Sequence, residues 1–445
     1  MTQTLNRSDS LQAWIPRGLL ELPAHHSVPA CTLEGFTPVQ IDWCEGILEG
    51  LRPLDAGEPP PAHVVLPRFV DAHVHLDKAF TWQDHPNLFG TYEGALKANL
   101  VEHQSRSTEV VLSRGERALQ QAFTQGLRAV RSHIDSGGPA AASSWEALEL
   151  LQRRWQGRVE LQLVALAPLA FWTSAEAESM ARRLAMCGGL LGGVLEPSML
   201  GPAVDQQLKA LRRLAERHGL AVDLHIDEAD PAPAPGGKQL RRALQVPPGR
   251  GPSRGRPASS LSLLPQAALQ RLGERMMSAN LQVIALPLTN AWLLERRSDL
   301  TPLKRPQAPI RQLQRSGVRV AVAGDNVADP WFPAGDFDPL ALMAAAIPLT
   351  QLLPWQRLGL APFTTAASGV LGLSWDGVLR RGAPADFVAV KGTSWSDVLR
   401  GSSSRRVLVQ GEWVSPTFAS TYRLDPLKWT VCSHDSRRCA ARSTT

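Results

Sequence analysis

Through the middle of the chain, short apolar runs alternate with stretches whose apolar residues recur at helical spacing. That alternation predicts βα units and a parallel sheet. Seven runs read as strands: 70–75, 127–135, 159–168, 189–197, 220–228, 281–288 and 318–326. Helical patterns occupy 109–124, 144–155, 175–186, 206–217, 266–278 and 309–316 between them. Most of the strand runs close on polar or charged residues, the end at which a parallel barrel carries its functional groups.

An eighth run belongs between Glu228 and Leu281, near 248–258, but the chain there reads PGRGPSRGRPA. Proline removes ladder donors and glycine weakens strand interiors, so this sixth strand is disrupted as sequence. Apolar pattern resumes at Ser260-Leu261-Ser262-Leu263-Leu264. Eight strands would close a barrel, so the predicted fold is α/β, a (β/α)8 TIM-type barrel over residues 67–375. Alternating runs at 39–48, 64–66, 382–390 and 406–414, broken by glycine turns, predict a small composite β-domain from residues 1–66 and 376–415. Residues 416–445 have no clear period and stay unassigned.

Composition changes this picture little. Hydrophobic content of 44% and charged content of 20% are ordinary for a globular protein. The net charge of +6 gathers at Arg241, Arg242, Arg250, Arg254 and Arg256 and in the tail at Arg437, Arg438 and Arg442. Neither cluster is interleaved with stacking aromatics, which argues against nucleic acid as partner. The five cysteines form no CxxC pair, so a disulfide framework or zinc cluster is not expected. No stretch reaches the ~18 apolar residues of a membrane span and no signal peptide opens the chain, so a cytoplasmic address is the expectation.

Candidate chemistry sits at the strand ends. His73 and His75, two apart on one strand, share a face and could converge on a divalent cation. His225 and Glu228 end the fifth run and Asp325 ends the last. Each has a plainer reading: the histidines as packed side chains, Glu228 as a salt-bridge partner, Asp325 as a turn cap. Asp77 and Lys78 are expected to pair with each other at the mouth. His133 suits a packing or supporting role. Asn326 and Asp329 suit either substrate contact or ordering of the last loop, Trp331 is a further candidate for substrate contact, and Trp172, Trp292 and Trp331 suit an aromatic wall or the core.

Pro67-Arg-Phe-Val-Asp-Ala-His73-Val-His75-Leu-Asp77-Lys78 resembles the opening metal motif of the amidohydrolase superfamily. Val222-Asp-Leu-His225-Ile-Asp-Glu228 and Ala323-Gly-Asp325-Asn326-Val-Ala-Asp329-Pro-Trp331 are similar to strands of its cytosine deaminase branch. Arg131-Ser-His133-Ile-Asp135 and Pro287-Leu-Thr-Asn290 match further landmarks. The resemblance spans roughly residues 60–415. It implies a metal-dependent hydrolase of non-peptide C–N bonds, with His73, His75, His225 and Asp325 holding one Fe or Zn ion. Metal-bound hydroxide would attack an amino-bearing ring carbon and release ammonia, with Glu228 as proton shuttle and Asp325 assisting. The implied partner is a small heterocycle of pyrimidine type; a homo-oligomer is compatible with everything above.

Two departures bear on this. The family's sixth-strand histidine falls at Pro257, beside Arg256, and no histidine lies between His225 and His434. A local reading-frame error, a different proton partner, and a metal-binding homologue without turnover all remain open. The glutamine with which the family reads the pyrimidine edge is also missing, since the chain runs Ala167-Pro168-Leu169-Ala170-Phe171-Trp172. Another cyclic amide or N-substituted heterocycle is therefore the alternative substrate.

Overall fold

The computed structural model describes residues 9–23, 31–195, 199, 201–226, 259–296, 299–303, 307–400 and 404–415. The early strands are β1 (Asp9–Pro16), β2 (Phe36–Cys44), β3 (Ile47–Pro53) and β4 (His63–Pro67). The late ones are β12 (Phe387–Lys391), β13 (Arg405–Val409) and β14 (Glu412–Trp413). Together they make one seven-stranded sheet in the order β14-β13-β12-β4-β1-β2-β3. Strands from the two ends of the chain meet where β12 runs antiparallel to β4, with Val388 opposite Leu66. Ile15, Ile41, Trp43, Phe387 and Leu408 bury one face of this sheet in a core of its own.

Between these ends, seven parallel strands lie among the described residues. Five form one sheet in sequence order: β5 (Phe69–Val74), β6 (Leu127–Asp135), β7 (Glu160–Leu166), β8 (Leu190–Leu195) and β9 (Val222–Ile226). β10 (Gln282–Ala285) pairs with β11 (Arg319–Val322). The seam between the last strand and the first closes through a parallel bridge from Val74 to Asp325, whose amide donates to the His73 carbonyl at 2.9 Å. The sheet therefore curves back on itself at that edge. The strand expected near 248–258 lies outside the described residues, so closure is observed on one side only.

Helices cover the outer face, which is why β5 and β9 are buried along their whole length. They include α1 (Tyr92–Glu102), α2 (Thr108–Gln125), α3 (Ala141–Arg154), α4 (Ala177–Cys187) and α5 (Pro202–His218). Ser107 caps α2 by accepting from the Val110 amide, and Gly126 ends it in the left-handed conformation at φ 98°. The helix Thr365–Leu371 packs Ala367, Val370 and Leu371 against Val70, Ala129, Ile284 and Ala321. Its carbonyls at Val370 and Leu371 accept from Arg131 and Gln162, which seals the end of the sheet opposite the histidines.

Several expected boundaries move. The run 39–48 crosses a hairpin turn at Glu45 and Gly46, both at positive φ, and is two strands rather than one. The run 281–288 stops at Ala285, because Pro287 opens a helix, Pro287–Leu293, where its missing N–H costs nothing. β1, α1 and the helix Pro339–Thr350 were not anticipated. Among the described residues no helix is long and apolar enough to cross a membrane.

Candidate metal centre and its cavity

Alternation along β5, β6 and β9 stacks polar side chains in tiers. The lower tier joins Arg131 to Asp223 at 2.9 Å and to Gln162 at 3.0 Å, all buried or nearly so. Burial alone lowers the Arg131 pKa, with Asp223 working against the shift. Asp223 also feels burial first, but His133 and Arg131 outweigh it and lower its pKa. One step up each strand come His73, His133 and His225. The His73 and His133 rings stack at 3.7 Å, and the His73 and His225 centroids lie 4.7 Å apart.

His73, His75 and His225 bring one ring nitrogen each within 4.8 Å of the others. An Asp325 carboxylate oxygen lies 3.3 Å from His75 Nε2 and 3.5 Å from His73 Nε2. Asp325 holds this place at φ 62°, a conformation rare outside glycine but tolerated by Asp. The same residue thus closes the sheet with its amide and faces the histidines with its carboxylate. His75 is oriented by the His133 carbonyl, 3.1 Å from its Nδ1, which leaves Nε2 toward the cluster. Burial, and then the neighbouring histidines, hold the pKa values of His73 and His225 well below the ordinary range. Both rings are therefore neutral at pH 7 with lone pairs available. Both His73 nitrogens and His225 Nδ1 are buried without a hydrogen-bond partner. Neutral, unpartnered imidazoles beside a carboxylate suit a divalent iron or zinc ion.

On β5 itself, Asp71 accepts from the amides of His73 and Gly324 at 3.2 and 3.1 Å. It thereby ties the first strand's histidine to the turn that presents Asp325. Burial pushes its pKa up to about 7, against those two hydrogen bonds.

Above the cluster opens a cavity of about 740 Å³, lined at its floor by His75, His225, Asp325 and Asn326. Leu166, Val194, Leu195 and Met199 form one wall, Thr289, Asn290, Leu293 and Leu294 another, and Tyr92, Leu96, Asn99, Leu100 and His103 the roof from α1 and the turn after it. Of the three tryptophans considered, Trp331 alone lines the cavity, edge-on to Tyr92 at 5.0 Å. Trp172 is a core residue whose indole donates to the Gly192 carbonyl at 2.8 Å.

Some expectations need correction. Asp77 and Lys78 do not pair with each other: Asp77 meets Arg106 at 2.9 Å and Lys78 meets Asp135 at 2.8 Å. They are consecutive and point apart, so each finds its partner on a different element. Of the two readings of Asp329, its hydrogen bonds fit the loop-ordering one: it is not among the residues lining the cavity, and its carboxylate accepts from Asn326 Nδ2 at 2.8 Å and from the Trp331 amide at 2.9 Å. It orders the loop that carries Asn326 and Trp331. Burial raises its pKa to about 6, with Lys78 opposing. Glu228 and Pro257 lie outside the described residues.

Sequence reasoning missed the roof's anchor. Asp135 at the tip of β6 binds Lys78, His103 at 3.0 Å, Asn99 at 3.2 Å and Arg106 at 3.1 Å. Burial opposes its charge, but Lys78, His103 and Arg106 prevail and hold its pKa well below the carboxylate range. The Arg131–Asp135 motif put Asp135 at a strand end without giving its partners, and the Asn99–His103 spacing of four, one helical turn, places those two on one face.

A parallel α/β sheet with converging histidines at its open end defines a class before any comparison is made. The amidohydrolase family pattern matches residues 175–414, and the chain belongs to that family. Pterin deaminase from Rhizobium rhizogenes is 30% identical over 421 residues, 90% of this chain and 94% of the relative. N-isopropylammelide isopropyl amidohydrolase from Pseudomonas sp. is 26% identical over 75% of this chain and 81% of its own. The structure of 5-methylcytosine deaminase from Klebsiella pneumoniae with phosphonocytosine superposes with TM-score 0.75 at 20% identity, over 92% of this chain and 98% of that one. That likeness establishes the shared fold.

Proposed function

We propose that this protein is a hydrolytic deaminase that removes an exocyclic amino group, as ammonia, from a small heterocycle. His73, His75, His225 and Asp325 hold one divalent ion, iron or zinc. When bound, such an ion supplies Lewis acidity and lowers the pKa of water towards ~7. The observation that carries the reading is the meeting of three imidazoles, His73, His75 and His225, with the Asp325 carboxylate beneath a cavity of about 740 Å³.

The chain's own residues divide the remaining work. The His133 carbonyl fixes the His75 tautomer, and Asp71 locks the His73 strand to the Asp325 turn. Asp325 takes up the proton of the attacking water. Glu228, two residues past β9, carries a proton to a ring nitrogen and then to the departing amine. Roof residues from α1 exclude bulk water from the floor, which strengthens every charge interaction there.

A pterin-like 2-amino heterocycle is the first candidate substrate. A relative matched over 90% of this chain is named a pterin deaminase, and the glutamine expected to read a cytosine edge is missing after β7. Leu96, Leu100, Leu293 and Leu294 give the upper cavity an apolar character that would also admit an N-alkyl group, the second reading.

Metal analysis with an ammonia-release screen over pterins, cytosine, 5-methylcytosine and aminotriazines tests both. Ammonia from a ring amine supports the first reading; release of an alkylamine moves the assignment to the second. Bound metal without product from any of them refutes turnover. Glu228→Gln should abolish turnover while leaving metal content intact.

A further inference from the structure

Thr289 lies in the first turn of the helix after β10, lines the cavity and is 2% exposed. Its hydroxyl is buried without a hydrogen-bond partner among the described residues. Several threonines in or capping helices elsewhere find partners: Thr108, in a first turn as Thr289 is, bonds the Glu146 carboxylate at 2.9 Å, and others bond a carbonyl four residues back. Thr124 bonds the Gln120 carbonyl at 2.9 Å, Thr350 that of Ala346 at 2.7 Å, and Thr364 that of Leu360 at 3.0 Å. Thr289 does not. A hydroxyl taken from water and given nothing in return is a standing cost that valine, of the same shape, would avoid. The indole Nε1 of Trp331, which lines the same cavity, is likewise buried without a partner. The loop after β7 offers no amide side chain at 167–172.

We propose that the Thr289 hydroxyl is a specificity-determining contact that hydrogen-bonds the polar ring edge of the substrate. The substrate class is a heterocycle carrying a lactam or ring-nitrogen edge beside its exocyclic amine. The hydroxyl both donates and accepts, so it serves a ring N–H or a ring carbonyl, and the Trp331 N–H adds a fixed donor. This rests on the deaminase reading above, with Thr289 selecting the ring and the metal cluster acting on it.

The test compares Thr289→Val and Thr289→Ser in the metal-loaded enzyme, using the best heterocycle from the ammonia screen. Thr289→Val should lose about tenfold in kcat/KM, whereas Thr289→Ser stays within about threefold of the parent. Thr289→Val should also melt no lower than the parent, because it relieves an unpaired hydroxyl; a structural role would lower the melting temperature. Unchanged kcat/KM in Thr289→Val, or an equal loss in Thr289→Ser, overturns the assignment. If the parent itself deaminates nothing, the deaminase reading has failed on its own. Calorimetric binding of a ring lactam such as lumazine then decides the contact: weaker binding to Thr289→Val upholds it, and equal binding overturns it.

Discussion

Replacing Arg106 by methionine isolates what anchors the cavity roof. The Arg106 guanidinium is fully buried and meets three carboxylates: Glu102 at 2.6 Å, Asp77 at 2.9 Å and Asp135 at 3.1 Å. Burial works against its charge, but Asp77, Asp135 and Glu102 outweigh that and raise its pKa. After the substitution Glu102 keeps Arg114 at 2.7 Å, and Asp135 keeps Lys78 and His103. Asp77 keeps only the amide of Asp135, at 2.9 Å, and is fully buried. One uncompensated buried carboxylate is thus the main consequence, at a cost of about 3–5 kcal/mol. Guanidinium unfolding of Arg106→Met, Asp77→Asn and the double variant measures it as a cycle. The double variant should recover a substantial part of the loss. KM should rise with kcat less affected, because α1 loses one of its ties to the tip of β6, the Arg106 bridge from Glu102 to Asp135, and keeps those of Asn99 and His103. Stability of Arg106→Met within about 1 kcal/mol of the parent, or simple additivity in the cycle, would refute the reasoning.

Asp135→Asn should act on the acid limb of stability. Its folded pKa is depressed, so its contribution is complete above about pH 4, the unfolded value, and is lost as pH falls through the lower folded one. Thermal melts from pH 6 downward should therefore show a shallower decline below about pH 4 in the variant. His225→Ala should lower metal content per chain, read by elemental analysis, while the far-ultraviolet spectrum keeps its parent shape. Gly192→Ala should destabilise the sheet, since an added Cβ would sit 2.7 Å from the Ala165 carbonyl oxygen, a backbone atom that cannot step aside. A melting temperature equal to the parent's would contradict that contact.

Much of the site was legible because its signals are local. Two histidines two apart share a strand face whatever surrounds them, and alternation puts Arg131 and His133, or Asp223 and His225, on one interior. The parallel strands were visible as apolar runs where both faces are apolar, as in β8, and as apolar and polar alternation in β6 and β9, whose polar residues face the interior. Boundaries moved where a turn hid inside an apolar run, as at Glu45–Gly46, or where a helix began with apolar residues, as at Pro287. α1 escaped notice because it is not amphipathic: Leu96, Leu100 and Val101 stay substantially exposed beside the cavity rather than facing a core.

Taken alone, the order of residues decided the family, the strand register of the paired histidines, and the candidate ligands. Tertiary structure alone decided the partners of charged residues. Asp77 and Lys78 are adjacent, yet they answer to Arg106 and Asp135, residues 29 and 57 positions away. The same holds for Asp329, whose carboxylate is spent on its own loop, and for Thr289, whose buried hydroxyl has no partner among the described residues. The reason is physical. Periodicity reports which face a side chain takes, whereas the energy of a buried polar group depends on what the fold brings to that face from elsewhere in the chain.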